Sequence, residues 1–433
     1  MGFDQNRLMR LLPRRLLAGS AFTVVPSGLG TLLTLLAIPL LTRSYSVDEM
    51  GIAASVLSLA LILAVILSFG VPQTLPSTSS ATGAVAIVGA MMLMAALLAG
   101  LLAGAVHLLP RQWTESVFGD ASSRIWWIAA LAVAVTVNEL MMYLAVRQNK
   151  YLPIGLSVLV LHALRAAVQL GAGWMGGGWE GLVCGDIVSR FFASAALMIG
   201  TWKSFVPAVR SAYIAELKRA GKEVAFGPRM IFPTTFLDMG VSQLPLLGIS
   251  ALYGASAAGY FSLVTKVVEG PTGLAARHIA NVFHGELAER IRVGTGGIKS
   301  MVTSSFFLVF AVAGIPIVIA GLFGPTLFAV IFGEEWRIAG LGFSAFTIPC
   351  ILITATSAPT RVLVVTQQVW RKLYVFAVFA AGFVLALGFA WLFEQPYYIA
   401  WIGLSLASTI GYLVYFSAAL TAAAGADRRM AAL

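Results

Sequence analysis

The chain has 433 residues, 59% of them hydrophobic and 11% charged, with a formal net charge of +10. A soluble globular domain carries about 25% charged residues, so a soluble enzyme is excluded, and the basic balance needs no nucleic-acid partner to explain it. The apolar residues fall in repeated runs of about twenty, the length that crosses ~30 Å of hydrocarbon as a helix. Backbone groups in lipid must be satisfied within the span, so the fold class is all-α: a polytopic membrane protein of about twelve transmembrane helices.

The spans fall near 16–41, 50–70, 82–109, 125–146, 152–174, 181–201, 227–250, 256–283, 301–323, 338–362, 373–393 and 398–422. The start is basic (Arg7, Arg10, Arg14, Arg15), but the apolar run Leu16–Leu41 is too long for a signal-peptide core and reads as a first span. With the N-terminus in the cytoplasm, cytoplasmic segments hold 18 Lys and Arg and outer loops hold 4: Arg43, Arg111, Arg124 and Arg337. That bias sets the orientation, with both termini cytoplasmic. Cys184 and Cys350 lie in apolar stretches and read as small buried hydrophobes. No cofactor motif or metal-ligand spacing is present.

The halves look like repeats. Pro26 and Pro233 are 207 residues apart, Pro39-Leu40-Leu41 and Pro245-Leu246-Leu247 are 206 apart, and Phe118-Gly119-Asp120 and Phe332-Gly333-Glu334 are 214 apart. Each Pro-Leu-Leu segment precedes a short outer loop and a helix-opening glycine, Gly51 or Gly259. Six spans plus six give a parallel repeat about an axis along the membrane normal. The expected division is a six-helix lobe at 1–201, a cytoplasmic linker at 202–226 and a second six-helix lobe at 227–433, the two lobes flanking a central cavity. The linker's mixed-charge run (Glu216, Lys218, Arg219, Lys222, Glu223) reads as an amphipathic connection rather than a binding site.

Charges inside the spans are the informative feature. A charge at membrane depth costs roughly 2.5–3.5 kcal/mol on insertion scales and is kept where it faces a bundle interior or a wet cavity. Span 5 carries His162, Arg165 and Gln169 on one face, and span 6 carries Asp186 and Arg190 one turn apart. Span 7 stacks Thr234, Asp238 and Ser242. Span 8 aligns Lys266, Glu269, Gly273, Arg277 and His284 around Pro271. Span 4 carries Glu139 with Tyr143 one turn on. The plainer reading is interhelical glue, with Asp186–Arg190 and Lys266–Glu269 as self-neutralised pairs. Arg165 resists that reading, because no acid lies three or four residues away in sequence; its partner has to come from another span or from a substrate. Six interior cations (Arg165, Arg190, Arg229, Lys266, Arg277, Arg361) face four anions (Glu139, Asp186, Asp238, Glu269). The surplus suits an anionic ligand, with Arg matched to phosphate oxygens. Arg165, Lys266, Arg190, Arg277 and His162 are the candidate ligand contacts. Glu139 and Asp238 are the candidate carriers of a coupling proton or Na⁺.

Three segments carry a family resemblance: Ile38-Pro39-Leu40-Leu41-Thr42-Arg43 with Asp48-Glu49-Met50-Gly51, Ala258-Gly259-Tyr260-Phe261-Ser262-Leu263 with Lys266 and Pro271, and Ile331-Phe332-Gly333-Glu334-Glu335-Trp336. Together they resemble the polysaccharide-biosynthesis flippases of the Wzx type, in the superfamily that also holds lipid II flippases and multidrug-and-toxin exporters. The resemblance implies alternating access and transfer of an undecaprenyl-diphosphate-linked oligosaccharide from the cytoplasmic to the periplasmic leaflet of the bacterial inner membrane. Polymerase or ligase components would be its partners. Lipid II flippases typically carry two further C-terminal spans and a basic cluster early in span 1. This sequence shows about twelve spans, and Thr23, Ser27 and Thr31 are neutral. A cation exporter of the same fold would favour a net acidic lumen. A membrane-embedded glycosyltransferase would need acids or histidines in a sizeable outer loop, and the outer loops are short.

Overall fold

In the computed structural model the described residues are 14–108, 121–210, 213–366, 368 and 370–431, without the side chains of 14–24, 107, 121–123, 203–210, 213–216, 269–279, 281–282, 284, 288, 292 and 364. They form fifteen α-helices and no strand. In chain order these are α1 (Arg14–Ser44), α2 (Val47–Ser68), α3 (Ala81–His107), α4 (Ala121–Arg147), α5 (Tyr151–Trp174), α6 (Gly178–Arg210), α7 (Tyr213–Val224) and α8 (Phe232–Val293). There follow α9 (Ile298–Leu322), α10 (Gly324–Phe332), α11 (Arg337–Ala345), α12 (Thr347–Thr356), α13 (Arg361–Val365), α14 (Trp370–Leu392) and α15 (Tyr397–Ala431).

Ten helices are long and apolar enough to cross a membrane, and the bent pair Glu334–Ala345 and Thr347–Thr356 makes eleven. One of the ten, Leu217–Val268, is 52 residues long. At 1.5 Å per residue that is about two and a half times what a bilayer needs. Gly254 breaks it, with φ 82° and ψ −172°, a conformation only glycine adopts freely. Dividing the helix there restores the twelve spans expected from hydropathy. Span 10 differs from expectation: in place of one helix over 338–362 the chain builds α11, α12 and α13, the first two bent by 55°. The expected linker at 202–226 is mostly helical, because α6 runs on to Arg210 and α7 follows.

The chain forms two compact units, residues 1–37 with 59–236, and residues 38–58 with 237–433. Helices α1 and α2 therefore each belong to both.

In the first unit, Leu75, Val85, Val88, Leu140, Leu144 and Leu197 form a buried core. Helix α7 closes one end of it. Ala220 and Val224 are buried and Leu217 packs beside them, while Lys218 and Lys222 are exposed, so α7 is amphipathic as its sequence predicts. Polar contacts fix the same end. Arg147 donates from Nε to Thr78 Oγ1 (2.7 Å) and from Nη2 to Thr78 O (2.8 Å). Glu223 accepts from the backbone N–H and hydroxyl of Ser79 (2.8 and 2.5 Å).

In the second unit the turn between α1 and α2 carries a capping box. Glu49 Oε2 accepts from Ser46 N (2.8 Å), and Ser46 Oγ accepts from Glu49 N (3.2 Å). Burial, with the Glu49 carboxylate adding to it, pushes the neighbouring Tyr45 hydroxyl up to about 12. Gly51 and Gly259 face each other: a Cβ on Gly51 would lie 1.8 Å from Ala255 O, and one on Gly259 would lie 2.1 Å from Val47 O. Ser55 Oγ donates to Ser250 Oγ (2.9 Å) beside this crossing, and Ser256 bonds the Asp48 carboxylate. Trp336, 1% exposed, donates from Nε1 to Thr42 O (3.2 Å) and meets the Tyr260 ring edge-on. The three segments that carry the family resemblance thus converge on one packing node.

Orientation is checked by labelling single cysteines. Glu180→Cys and Glu335→Cys are expected to react with an impermeant maleimide from the periplasm, and Lys218→Cys only after permeabilisation. A Glu335→Cys protein labelled solely from the cytoplasm would overturn the assigned topology.

Candidate functional site

Helices α5 and α6 form an antiparallel hairpin around the glycines 176–178, where φ is +71° at Gly176 and +55° at Gly178. The tight turn fixes the register, and residues equally far from it meet. Gln169 Nε2 donates to Leu182 O (2.8 Å) and to Asp186 Oδ2 (3.3 Å). Gly185 makes room for this amide, since a Cβ there would come within 2.4 Å of Gln169 Cγ. One turn away, Arg165 Nε stands 3.1 Å from Asp186 Oδ1, and Arg190 Nη2 stands 3.9 Å from the same oxygen.

Arg165 therefore finds its partner on the next span. Asp186 is not the private counter-ion of Arg190 that a self-neutralised pair requires: the arginine one turn along its own helix is the more distant of its two cations. Two guanidiniums share one carboxylate, leaving the cluster with one uncompensated positive charge. The three side chains keep 21%, 11% and 15% exposure (Arg165, Asp186, Arg190).

His162 lies one turn before Arg165 and clasps α1. Its Nδ1 is 2.8 Å from Thr34 Oγ1, and Thr34 Oγ1 also donates to Gly30 O (3.1 Å). Gly30 lets the ring approach, as a Cβ there would fall 2.6 Å from His162 Cδ2. Span 1 thus supplies, through Thr34, a hydrogen-bond partner to the face that carries Arg165.

The other candidates lie apart from this cluster. Glu139 on α4 is partly buried, is electrostatically coupled to Tyr143, and makes no ion pair among the described residues. Its neighbour Asn138 bonds Ser194 (3.2 Å), and Ser194 bonds Arg190 O (2.8 Å), which ties α4 to the helix of the cluster. Asp238 lies in the second unit within electrostatic reach of Lys372, which is itself near Arg361. Lys372 stands on the first turn of α14, beside the segment between spans 10 and 11. Lys266 is exposed on α8 in the second unit. The side chains of Glu269, Pro271, Arg277, His278 and His284 lie outside the described residues. Among the described residues no three His, Cys, Asp or Glu side chains gather to hold a metal ion.

Long apolar helices in two units define a multi-pass membrane protein. Solved structures share the fold. A lipid II flippase, MurJ, in an inward closed conformation is 12% identical with TM-score 0.67, over 94% of this chain and 90% of that one. A MATE transporter in complex with MaL6 is 13% identical with TM-score 0.60, over 95% and 97%. The Vibrio cholerae MATE transporter VcmN in its bent form is 14% identical with TM-score 0.52, over 96% and 99%. No curated protein sequence matches significantly. The chain belongs to the polysaccharide biosynthesis protein family, whose profile matches residues 40–339.

Proposed function

We propose that this protein flips an undecaprenyl-diphosphate-linked oligosaccharide from the cytoplasmic to the periplasmic leaflet of a bacterial inner membrane, by alternating access, for surface polysaccharide assembly. The observation that carries the reading is the Arg165–Asp186–Arg190 cluster, a net positive site within spans of a polysaccharide-biosynthesis family member. Phosphate oxygens match guanidinium forks. A cationic drug would be repelled by the same charge. The membrane potential, negative inside, favours outward movement of an anion by about 2.3 kcal/mol per charge per 100 mV. His162, Lys266 and Arg277 are the further headgroup contacts in this reading. Glu139 is the stronger ion-coupling candidate, since Asp238 already has Lys372 as a neighbour.

The test is a flipping assay in vesicles holding purified protein and a fluorescent short-chain polyprenyl-diphosphate glycan. Transfer is expected well above that of protein-free vesicles and is expected to accelerate under an imposed proton or Na⁺ gradient. Glu139→Gln is expected to keep glycan binding and lose the acceleration. Transfer no faster than in empty vesicles would remove the flippase reading. A gradient response unchanged in Glu139→Gln would remove Glu139 from coupling.

A further inference from the structure

Five buried side-chain polar atoms lack a hydrogen-bond partner among the described residues, and three of them, Arg165 Nε, Asp186 Oδ1 and Arg190 Nε, sit in one cluster. Buried polar groups are nearly always satisfied, so such a concentration asks for a cause. Arg165 Nε is close enough to Asp186 Oδ1 for an ion pair at 3.1 Å, but out of line for a hydrogen bond. Arg190 Nη2 is farther still, at 3.9 Å. Arg–carboxylate pairs are frequently bidentate, and neither arginine makes that fork with Asp186. Here the carboxylate is anchored at its other oxygen: Oδ2 accepts from Gln169 Nε2, and Leu182 O and the missing Cβ of Gly185 hold that amide in place.

We propose that Asp186 is a displaceable counter-ion, its Oδ1 standing between Arg165 and Arg190 where an oxygen of an incoming phosphate sits in the loaded protein. The identity of that phosphate rests on the flippase reading above; the exchange itself asks only for an oxyanion. With the site empty, Asp186 keeps two nearby guanidiniums from repelling each other in a medium of low dielectric. On loading, the phosphate takes both arginines and the carboxylate falls back on Gln169. On release, Oδ1 returns and competes the ligand off. A transport site must bind firmly enough to load and weakly enough to unload, and an internal competitor meets both demands.

Two substitutions separate the exchange from a structural role, because they act in opposite directions. Asp186→Asn removes the competitor and is expected to tighten binding of geranyl diphosphate and of inorganic pyrophosphate about tenfold, while slowing transfer in vesicles. Gln169→Met removes the fallback for the carboxylate and is expected to weaken binding of both probes severalfold. Geraniol, which carries no charge, is expected to respond to neither. Arg165→Gln added to Asp186→Asn is expected to cancel the gain. If the affinities of both single variants stay at the wild-type value, or move in the same direction, Asp186 is structural and the proposal is overturned. Should Asp186→Asn fail to accumulate, the Gln169→Met titration decides alone: weakened anion binding supports the exchange, unchanged binding overturns it. Tighter probe binding in Asp186→Asn without flipping by the wild-type protein would keep the exchange and discard the lipid-linked glycan.

Discussion

Arg165→Ala is expected to block export of the lipid-linked glycan while leaving membrane insertion intact. The guanidinium is the nearer of the two cations at Asp186, and the Arg165 side chain keeps 21% exposure. Removing it leaves Asp186 with Arg190 at 3.9 Å, which brings the cluster to neutrality and takes away the surplus charge that selects an anion. Losing one member of a desolvated charge pair costs about 2–5 kcal/mol, enough to weaken headgroup binding by well over tenfold. Arg165→Lys is expected to keep part of the activity, because the charge survives and the planar fork does not. The measurements are surface glycan in cells, geranyl diphosphate binding by purified protein, and membrane abundance as the control for folding. Wild-type surface glycan and wild-type binding in both Arg165→Ala and Lys266→Ala would make these residues interhelical glue and end the cationic-site reading.

How much of this was legible in the sequence follows from which forces are local. Span length and hydropathy are properties of a short window, so α3, α4, α5, α9 and α14 begin and end within a few residues of where the apolar runs do. The break at Gly254 was legible as a gap between two spans, although the backbone stays helical on either side of it. The pairing of Arg165 with Asp186 was hidden from any search at helical spacing, yet the signal was there. Arg165 lies eleven residues before Gly176 and Asp186 ten after it, and a glycine turn of fixed length makes equidistant residues neighbours. The Thr34–His162 bond had no such signal, since residues 128 apart share no turn that sets their register. Lys372 stands on the first turn of α14, at the end of the span next to the segment to which charge counting assigns it. Span 10 differs for a local reason that hydropathy averages out: Pro349 and Pro359 each remove a backbone N–H, and the chain bends by 55° between α11 and α12 just before Pro349.

Gly51→Ala is expected to be the most damaging glycine-to-alanine change among the described residues. Gly51 and Gly259 are both visible in the sequence as helix-opening glycines after a Pro-Leu-Leu segment, but nothing there says that they touch. In the second unit α2 crosses α8 just past the Gly254 break, so closely that the added Cβ would stand 1.8 Å from the backbone oxygen of Ala255 and 2.7 Å from the backbone nitrogen of Gly259. Neither is a side chain that can swing aside, so a helix has to move. Association of helices in lipid depends on this kind of close approach through small residues. Forcing them apart also strains Ser55–Ser250 and the Trp336–Thr42 bond at the same node. Overpacking of this sort costs about 1–3 kcal/mol, and the effect is expected as a lowered melting temperature in detergent and reduced membrane abundance. Gly100→Ala is the matched control: it lies inside α3, and a Cβ there meets nothing within 4 Å. Alanine is the better helix former by about 1 kcal/mol, so that variant is expected to melt at or slightly above the wild-type temperature. Ser55→Ala removes a single interhelical hydrogen bond, worth about 0.6 kcal/mol in such settings, and is expected to fall between the two. If Gly51→Ala melts alongside Gly100→Ala, the tight crossing of α2 on α8 does not exist in the membrane, and residues 38–58 are not held in the second unit by this contact.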